Sequence, residues 1–219
     1  MSLLVMLRHG QSIWNLENRF TGWTDVPLTE TGRQEARECG AQIHCVPFDI
    51  AFTSKLIRAQ ETLKIILESA GQSPPIVEDA ALNERNYGDL QGLNKAETAV
   101  KFGAEVVHSW RRSFEGRPPN GESLKDTAER SLKYFYSHIL PELEAGKNVI
   151  VSAHGNTLRA LLMELDHLSP QQVEQVEIEY CVPMTFAYED GKFAQVLLPN
   201  CEIVSQAQAL KRSAMAETV

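Results

Sequence analysis

The sequence predicts an α/β protein with three layers (α/β/α), in which a mostly parallel central sheet lies between helices on both faces. Apolar runs at residues 3–7, 48–54 and 148–156 have the length and composition of buried strands. Helical patterns of apolar residues separate these runs along the chain. Strands that alternate with helices are connected by crossovers, which favours a parallel sheet covered on both sides.

Two helices are predicted in the first half of the chain. Residues 28–43 form a helical segment with Thr29 or Thr31 as its N-cap. After the second strand, apolar residues recur at helical spacing in a single stripe, which consists of Leu56, Ala59, Leu63, Leu67 and Ala70. Residues 74–88 predict a short extended piece followed by a loop.

A long helix is predicted in the second half, ahead of the third strand. Ser123 is its expected N-cap. Its apolar line consists of Leu124, Ala128, Leu132, Phe135 and Ile139. Gly146 ends this helical region, because glycine readily adopts the left-handed conformation that follows a helix.

The last elements are a short helix and a hairpin. Ser169 and Gln172 have the spacing of a capping box, with Pro170 at the first helical position. Residues 185–198 predict a hairpin that turns at Asp190-Gly191. We therefore expect a single domain over residues 1–200 and a mobile tail over residues 201–219.

The composition excludes several classes of function. The chain has 219 residues, enough for one domain with a sizeable core. Its net charge of −8 argues against nucleic-acid binding through bulk charge. No apolar run reaches the roughly 18 residues of a membrane-spanning helix, and the N-terminus lacks the features of a signal peptide. Four cysteines without C-x-x-C spacing indicate reduced thiols in a cytoplasmic protein rather than a zinc site.

Polar groups follow each of the three predicted strands. They are Arg8, His9 and Gly10 after the first strand, Thr53, Ser54 and Arg58 after the second, and His154, Gly155 and Asn156 after the third. Because ligands bind beyond the carboxyl ends of parallel strands, we expect these groups to share one site. Gly10 is expected to let the backbone approach a ligand closely.

Two arginines and two histidines in such a site suit phosphoryl chemistry. The guanidinium groups of Arg8 and Arg58 match phosphate oxygens with a fixed fork of donors. A neutral imidazole, here His9 or His154, is a nucleophile already available at neutral pH. The sequence contains no phosphate-binding loop and no carboxylate cluster suited to magnesium, so we expect no metal.

Several longer motifs resemble a known family. They are LRHGQSIWNLENRFTGWTDVPLTETG, TSKLIRAQET, LNERNYGDLQGLNKAETAVKFG, WRRSF, PPNGESL and VIVSAHGNTLRAL. Together they resemble the histidine phosphatase superfamily and, more narrowly, its 2,3-bisphosphoglycerate-dependent phosphoglycerate mutases. The resemblance extends to about residue 200 and implies a phosphoglycerate mutase-like fold.

This resemblance implies an activity and a role for each matching residue. His9 would become phosphohistidine, Glu84 would donate and accept the proton, and Arg8, Arg58 and His154 would surround the phosphoryl group. The implied substrate-binding residues are Gln11, Ser12, Asn15, Thr21, Gly22, Arg85, Tyr87, Lys95, Arg111, Arg112, Gly155 and Asn156. The enzyme would interconvert 3-phosphoglycerate and 2-phosphoglycerate in glycolysis and gluconeogenesis. It would need 2,3-bisphosphoglycerate as a primer and no metal, nucleic acid or membrane.

The residues alone leave other activities open. A site that admits water would hydrolyse phosphohistidine and act as a phosphatase on small phosphorylated metabolites. Transfer to the 1-position would make a bisphosphoglycerate mutase, and an inactive phosphate-binding regulatory module is the remaining alternative. Glu84 with Arg85, and Arg111 with Arg112, could also be ordinary surface charges.

The sequence departs from the family at three places. Asn86 stands where the family usually has histidine, beside the expected acid/base residue. The segment after WRRSF is short, which leaves a monomer and a homodimer both open. The C-terminal tail matches only loosely, and we expect that it could close over the site and exclude water.

Overall fold

A six-stranded sheet forms the centre of the protein. The structure, a computed structural model, describes residues 1–197. The strands are β1 (Ser2–Arg8), β2 (Ile50–Thr53), β3 (Ile76–Glu78), β4 (Val149–Ala153), β5 (Met184–Glu189) and β6 (Lys192–Val196). They are ordered β3-β2-β4-β1-β5-β6. Among these six strands only β5 is antiparallel to the others, which confirms the prediction of a mostly parallel sheet.

Nine α-helices accompany the sheet within residues 1–197. They are α1 (Ile13–Leu16), α2 (Glu30–Ile43), α3 (Ile57–Ser69), α4 (Lys95–Phe102), α5 (Ala104–Arg112), α6 (Leu124–Tyr134), α7 (Leu140–Glu144), α8 (Gly155–Leu165) and α9 (Pro170–Gln175). A π-helical turn, Phe135–Ile139, joins α6 to α7. The sequence patterns assigned no element to residues 89–122, where α4 and α5 lie.

The predicted helix ends agree with the structure. Thr29, rather than Thr31, is the N-cap of α2, since its side chain accepts a hydrogen bond from the backbone of Gly32. Ser123 and Ser169 each cap a helix with a complete capping box. The β5–β6 hairpin turns at Asp190-Gly191, and both residues have positive φ, as a tight two-residue turn requires.

The alternation of side chains along β1 divides the core between the two faces of the sheet. Leu4 and Met6 pack on the face covered by α6 and α8. Val5 and Leu7 pack on the opposite face, against α2 and α3. Because β1 is buried on both faces, its sequence is a continuous apolar run and does not alternate between apolar and polar residues.

Strand register brings three carboxyl ends to one edge of the sheet. Strand β4 lies between β2 and β1, with Ser152 opposite Thr53 and Ala153 opposite Arg8. The backbone N–H of His9 continues the ladder by donating to the carbonyl of Ala153 at 3.0 Å. The residues that follow these strands therefore meet at one place, as the sequence predicts for a parallel sheet.

Gly10 has a packing role that the sequence analysis did not predict. A side chain at this position would meet the carbonyl oxygen of Gly32 at 2.3 Å. The missing side chain therefore lets the first turn of α2 pack against the end of β1. The sequence could not reveal this contact because the two glycines are distant along the chain.

Candidate active site

His9 lies at the carboxyl end of β1 with one ring nitrogen available for reaction. Its Nδ1 lies 2.7 Å from the carbonyl oxygen of Gly10, so Nδ1 carries the proton and donates it. The other nitrogen, Nε2, then holds a lone pair and accepts a hydrogen bond from Arg58 Nε at 3.3 Å. Burial, together with the charges of Arg58 and Arg8, holds the pKa of His9 well below its usual value. The ring is therefore a neutral nucleophile at pH 7.

His154 lies behind His9 and is fully buried. The centres of the two rings are 5.0 Å apart. Nε2 of His154 pairs with the hydroxyl of Ser54 at 2.8 Å, whereas its Nδ1 is buried without a hydrogen-bond partner among residues 1–197. Burial and the nearby Arg58 keep its pKa well below the usual value.

Arg58 and Arg8 bring two guanidinium groups to His9. Arg58 is almost fully buried, and it donates to the carbonyl oxygens of Gly22 at 2.8 Å and Thr24 at 3.2 Å. Burial lowers the pKa of Arg58 to about 10, so the group stays charged at pH 7. Arg8 Nη1 donates to the carbonyl oxygen of Ile178 at 2.9 Å. Its Nε is buried and meets no hydrogen-bond acceptor in the described part of the chain.

Glu84 supplies the carboxylate of the site. Its Oε1 accepts hydrogen bonds from the backbone N–H of Arg85 at 2.8 Å and from the backbone and side chain of Asn156 at 3.1 and 3.0 Å. Burial acts to raise the pKa of Glu84, but these hydrogen bonds and the charge of Arg58 outweigh it and leave the pKa lowered. The group is therefore ionised at neutral pH and able to accept a proton.

A cavity of about 240 Å³ opens beside His9. The cavity is also lined by Lys95, from the first turn of α4, and by Arg111 and Arg112, from the last turn of α5. Burial lowers the pKa of Lys95, and the neighbouring Arg111 lowers it further. The cavity thus holds one group of cations, the two arginines beside His9, and a second group that α4 and α5 contribute.

Most of the residues predicted for the site line this cavity. They are Arg8, His9, Asn15, Thr21, Gly22, Arg58, Glu84, Tyr87, Lys95, Arg111, Arg112, Gly155 and Asn156. Arg111 and Arg112 are therefore not a solvated helix face. Glu84 and Arg85 are both buried, and the Arg85 guanidinium bonds to Tyr87 and to the carbonyl oxygen of Arg111, so they are not a surface ion pair.

Four predicted residues do not line the cavity. His154 and Arg85 lie outside the lining of the cavity. His154 pairs with the hydroxyl of Ser54, and Arg85 donates to the hydroxyl of the lining residue Tyr87. Ser12 is the buried N-cap of α1, where its hydroxyl contacts Asn15. The side chain of Gln11 accepts a hydrogen bond from Thr29 at 3.0 Å. The side chains of Gln11 and Ser12 are thus engaged within the protein, and ligand contact at these two positions stays a prediction.

Four lining residues were not predicted from the sequence. They are Arg19, Arg159, Glu177 and Tyr180. Helical periodicity could have identified Arg159, because it lies four residues after Gly155 and hence on the same face of α8. Glu177 and Tyr180 lie in an irregular segment between α9 and β5, where no periodic pattern reveals which side chains face a site.

Asn86, the departure beside Glu84, shapes a turn and does not contact the Glu84 carboxylate. Its side-chain oxygen accepts from the backbone of Gly88 at 2.8 Å. Its backbone N–H donates to the carboxylate of Glu122 at 2.9 Å. Arg130 donates hydrogen bonds both to Glu122 and to the carbonyl oxygen of Glu84, and thereby holds the segment that carries Glu84 in place.

Two classes of site have no candidate in the described residues. Over residues 1–197, no cluster of three or more His, Cys, Asp or Glu side chains could hold a metal ion. In the same range, no helix is long and apolar enough to cross a membrane.

Comparison with known proteins identifies the family. The family model of the histidine phosphatase superfamily (branch 1) matches residues 4–201. A 2,3-bisphosphoglycerate-dependent phosphoglycerate mutase of Gloeobacter violaceus is 72% identical over 97% of this chain and 98% of its own length. The chain belongs to the 2,3-bisphosphoglycerate-dependent phosphoglycerate mutases of this superfamily. A mutase of the same name from Cytophaga hutchinsonii is 52% identical over 86% of this chain and 88% of its own.

Solved structures show that phosphatases share the fold of these mutases. A mycobacterial glucosyl-3-phosphoglycerate phosphatase, in complex with VO3, matches with a TM-score of 0.77 and 27% identity. The match covers 90% of this chain and 98% of the phosphatase. The fold therefore does not distinguish a mutase from a phosphatase, and it is the sequence identity that separates them here.

Proposed function

We propose that this protein interconverts 3-phosphoglycerate and 2-phosphoglycerate through a phosphohistidine at His9, with 2,3-bisphosphoglycerate as the primer. The observation that carries the proposal is the arrangement of one cavity. It holds a neutral His9, an ionised Glu84 and, besides Arg8 and Arg58, a second group of cations from α4 and α5. A phosphoglycerate has a phosphate and a carboxylate, which match the two groups of cations. It also has a hydroxyl group, which matches the carboxylate of Glu84.

The first half-reaction moves the phosphoryl group from His9 to the substrate. The 2-hydroxyl oxygen of 3-phosphoglycerate forms a bond to phosphorus while the bond from phosphorus to Nε2 breaks. The electron pair of that bond returns to the ring, and Glu84 accepts the hydroxyl proton. Arg8 and Arg58 stabilise the charge that spreads over the phosphoryl oxygens during transfer. The product of this step is 2,3-bisphosphoglycerate.

The second half-reaction reverses the first at the other phosphate. After 2,3-bisphosphoglycerate reorients in the cavity, Nε2 of His9 attacks its 3-phosphoryl group. The bond from phosphorus to the leaving oxygen breaks, and Glu84 returns its proton to that oxygen. 2-Phosphoglycerate leaves and His9 remains phosphorylated for the next cycle. Lys95, Arg111 and Arg112 hold the anion that is not reacting, because one end of the ligand must stay bound while the other reacts.

The charge of the ligand helps Glu84 to act as an acid. Hydrogen bonds and arginines lower the pKa of Glu84 in the ligand-free protein, against the effect of its burial. The phosphates of a bound 2,3-bisphosphoglycerate neutralise the field of those arginines. We therefore expect the proton to be held more tightly when the ligand is present, which is when the second half-reaction needs it.

The reaction has small-molecule substrates and fits the cytoplasm. Cys39 and Cys181 are free and buried thiols, as is typical of a reducing compartment. No metal takes part in the proposed steps, since the arginines supply the positive charge that a metal ion would otherwise provide.

A product assay tests this function. Purified protein is incubated with 3-phosphoglycerate, with and without 2,3-bisphosphoglycerate and with EDTA throughout, and 2-phosphoglycerate and free phosphate are both measured. We expect 2-phosphoglycerate to form only with the primer and little phosphate to be released. Dominant phosphate release would instead identify a phosphatase, and the absence of both products would identify a phosphate-binding module.

A further inference from the structure

Tyr180 lies over one of the phosphoryl-binding arginines. The guanidinium carbon of Arg8 is 4.1 Å from the centre of the Tyr180 ring, close enough for a cation–π contact. The same tyrosine lines the cavity. Its ring centre lies 6.2 Å from the centre of the His9 ring. A single aromatic side chain therefore covers Arg8 and stands beside the nucleophile.

The segment that carries Tyr180 is fixed on both sides of it. Ile178 and Cys181 are buried in the cores on opposite faces of the sheet. The backbone N–H of Cys181 donates to the carbonyl oxygen of Arg8 at 3.0 Å. Tyr180 thus occupies a defined position against the end of β1, although it belongs to no regular element.

This packing leaves only part of the Arg8 guanidinium free to bind a ligand. Tyr180 covers one face, and the carbonyl oxygen of Ile178 accepts from Nη1. Among its other donors, Nε is buried without a hydrogen-bond partner within residues 1–197. A methyl group placed on Gly155 would lie 3.8 Å from this Nε and 3.9 Å from Glu84 Oε2. This unpartnered donor therefore borders the space between Glu84 and the start of α8, where we expect a phosphoryl oxygen to bind.

We propose that Tyr180 is a positioning residue that determines how the phosphoenzyme divides between transfer and hydrolysis. The inference rests on the proposed phosphohistidine at His9. The ring holds the Arg8 guanidinium in the orientation that binds the phosphoryl oxygens, and it keeps water away from His9. Without the ring, Arg8 gains freedom to turn and solvent gains access to the phosphorus atom.

The reaction that Tyr180 suppresses is hydrolysis of the phosphohistidine. A water oxygen forms a bond to phosphorus, and the bond from phosphorus to Nε2 of His9 breaks with its electron pair returning to the ring. Glu84 accepts one proton of the water, and inorganic phosphate leaves. No further reactant is needed, so exclusion of water limits this loss.

Two measurements on five proteins test the proposal. The proteins are the wild type, Tyr180→Phe, Tyr180→Leu, Tyr180→Ala and a control variant. The first measurement is the lifetime of the phosphoenzyme, prepared with labelled 2,3-bisphosphoglycerate and chased without acceptor. The second is the ratio of phosphate released to 2-phosphoglycerate formed. Thermal unfolding shows that each variant is folded, and Tyr136→Ala, which removes a half-exposed tyrosine outside the cavity, is the matched control.

We expect the ring rather than the hydroxyl to matter. Tyr180→Phe keeps the wild-type lifetime and ratio within about twofold. Tyr180→Ala shortens the lifetime and raises the ratio by about tenfold, because solvent then reaches the phosphorus atom, and a tenfold change in rate corresponds to about 1.4 kcal/mol of barrier. Tyr180→Leu, which retains bulk without a π face, gives intermediate values.

Two results would overturn the proposal. The first is a folded Tyr180→Ala or Tyr180→Leu variant with the lifetime and ratio of the wild type. The second is a proportional loss of both activities with an unchanged lifetime, since this indicates a purely structural tyrosine. Failure of the proposed mutase activity is detected separately, because the wild type would then form no primer-dependent 2-phosphoglycerate. The phosphoenzyme lifetimes of the variants can still be compared with that of the wild type in this case.

Discussion

At the scale of residues, the neighbours of each side chain determine its chemistry in the site. His9 is suited to act as the proposed nucleophile because Gly10 accepts the proton of Nδ1, and burial with two arginines keeps the ring neutral. Glu84 is a carboxylate because backbone and amide donors outweigh its burial. Identical side chains on the surface would have neither property, since water would replace these partners.

Gly155 leaves the space in which we expect the phosphoryl group to bind. It begins α8 with ordinary helical backbone, and a methyl group there would lie 3.7 Å from Arg159 Nη1 and 3.8 Å from Arg8 Nε. Gly155→Ala should therefore fold with unchanged or slightly raised Tm, because alanine favours a helix. The value of kcat/KM should fall roughly 10- to 100-fold, since the methyl group displaces the ligand.

Thermal unfolding and steady-state kinetics check this prediction together. Gly10→Ala is the contrasting variant, because its new side chain would collide with the carbonyl oxygen of Gly32 and destabilise the fold. Wild-type kinetics in a folded Gly155→Ala protein would show that the phosphoryl group binds elsewhere.

Glu177 places a negative charge in the cavity that we propose binds anionic substrates. Its carboxylate lies 2.5 Å from Arg112 Nη2 and 3.8 Å from Arg159 Nη2, and its side chain is 71% exposed. Glu177→Gln should lower the KM for 3-phosphoglycerate about two- to fivefold, as loss of one exposed ion pair allows, with little change in kcat. Glu179→Gln is the matched control, because it removes the same charge two residues away and outside this cavity. Equal KM values in the two variants would contradict the prediction.

At the scale of elements, two short helices carry the second group of cations to the cavity. Strand ends position His9 and His154, whereas α4 and α5 supply Lys95, Arg111 and Arg112. The N-cap of α4 is Asn94, whose side chain accepts from the backbone of Ala96 at 2.9 Å and donates to the carbonyl oxygen of Glu17 at 3.1 Å. The cap therefore fixes both the start of the helix and its contact with the loop before it.

Removal of this cap should affect substrate binding more than chemistry. Asn94→Ala should cost about 1 kcal/mol of stability and raise the KM for 3-phosphoglycerate several-fold, because Lys95 is the next residue. The value of kcat should change little. Ser123→Ala removes the cap of α6, which carries no cavity residue, and should lower stability without altering KM. Denaturant unfolding and steady-state kinetics of both variants test this prediction. An equal effect on KM in the two variants would refute the prediction.

The whole molecule encloses two neutral histidines at the centre of a cation cluster. Both His9 and His154 are buried, and both have pKa values held well below the usual value. In the unfolded chain they titrate near about 6.5. Below that pH the unfolded state binds protons that the native state does not, so the free energy of unfolding must fall as pH decreases.

Denaturant unfolding at pH 7.5 and pH 5.5 measures this effect. Each histidine should contribute a slope of up to about 1.4 kcal/mol per pH unit below pH 6.5. His9→Gln should flatten the pH dependence, whereas His108→Gln, at an exposed position, should leave it unchanged. An identical pH dependence in the two variants would show that His9 is protonated as easily in the native state as in the unfolded one.

The sequence by itself predicted the architecture, because apolar runs and helix caps are local signals. The runs at β1, β2 and β4 and the caps at Thr29, Ser123 and Ser169 all agree with the structure. Motif resemblance also identified most cavity residues. The expected tail over residues 201–219, and its closure over the site, lie outside the described residues.

Only the tertiary structure decided the features that depend on distant contacts. Gly10 packs against Gly32, Gln11 turns to Thr29, and Tyr180 covers Arg8 from an irregular segment. The direction of the Glu84 pKa was also decided there, because burial and hydrogen bonding oppose each other and only their balance in three dimensions gives the sign. A linear pattern records which residues are present, but the energy of a buried charge depends on what surrounds it.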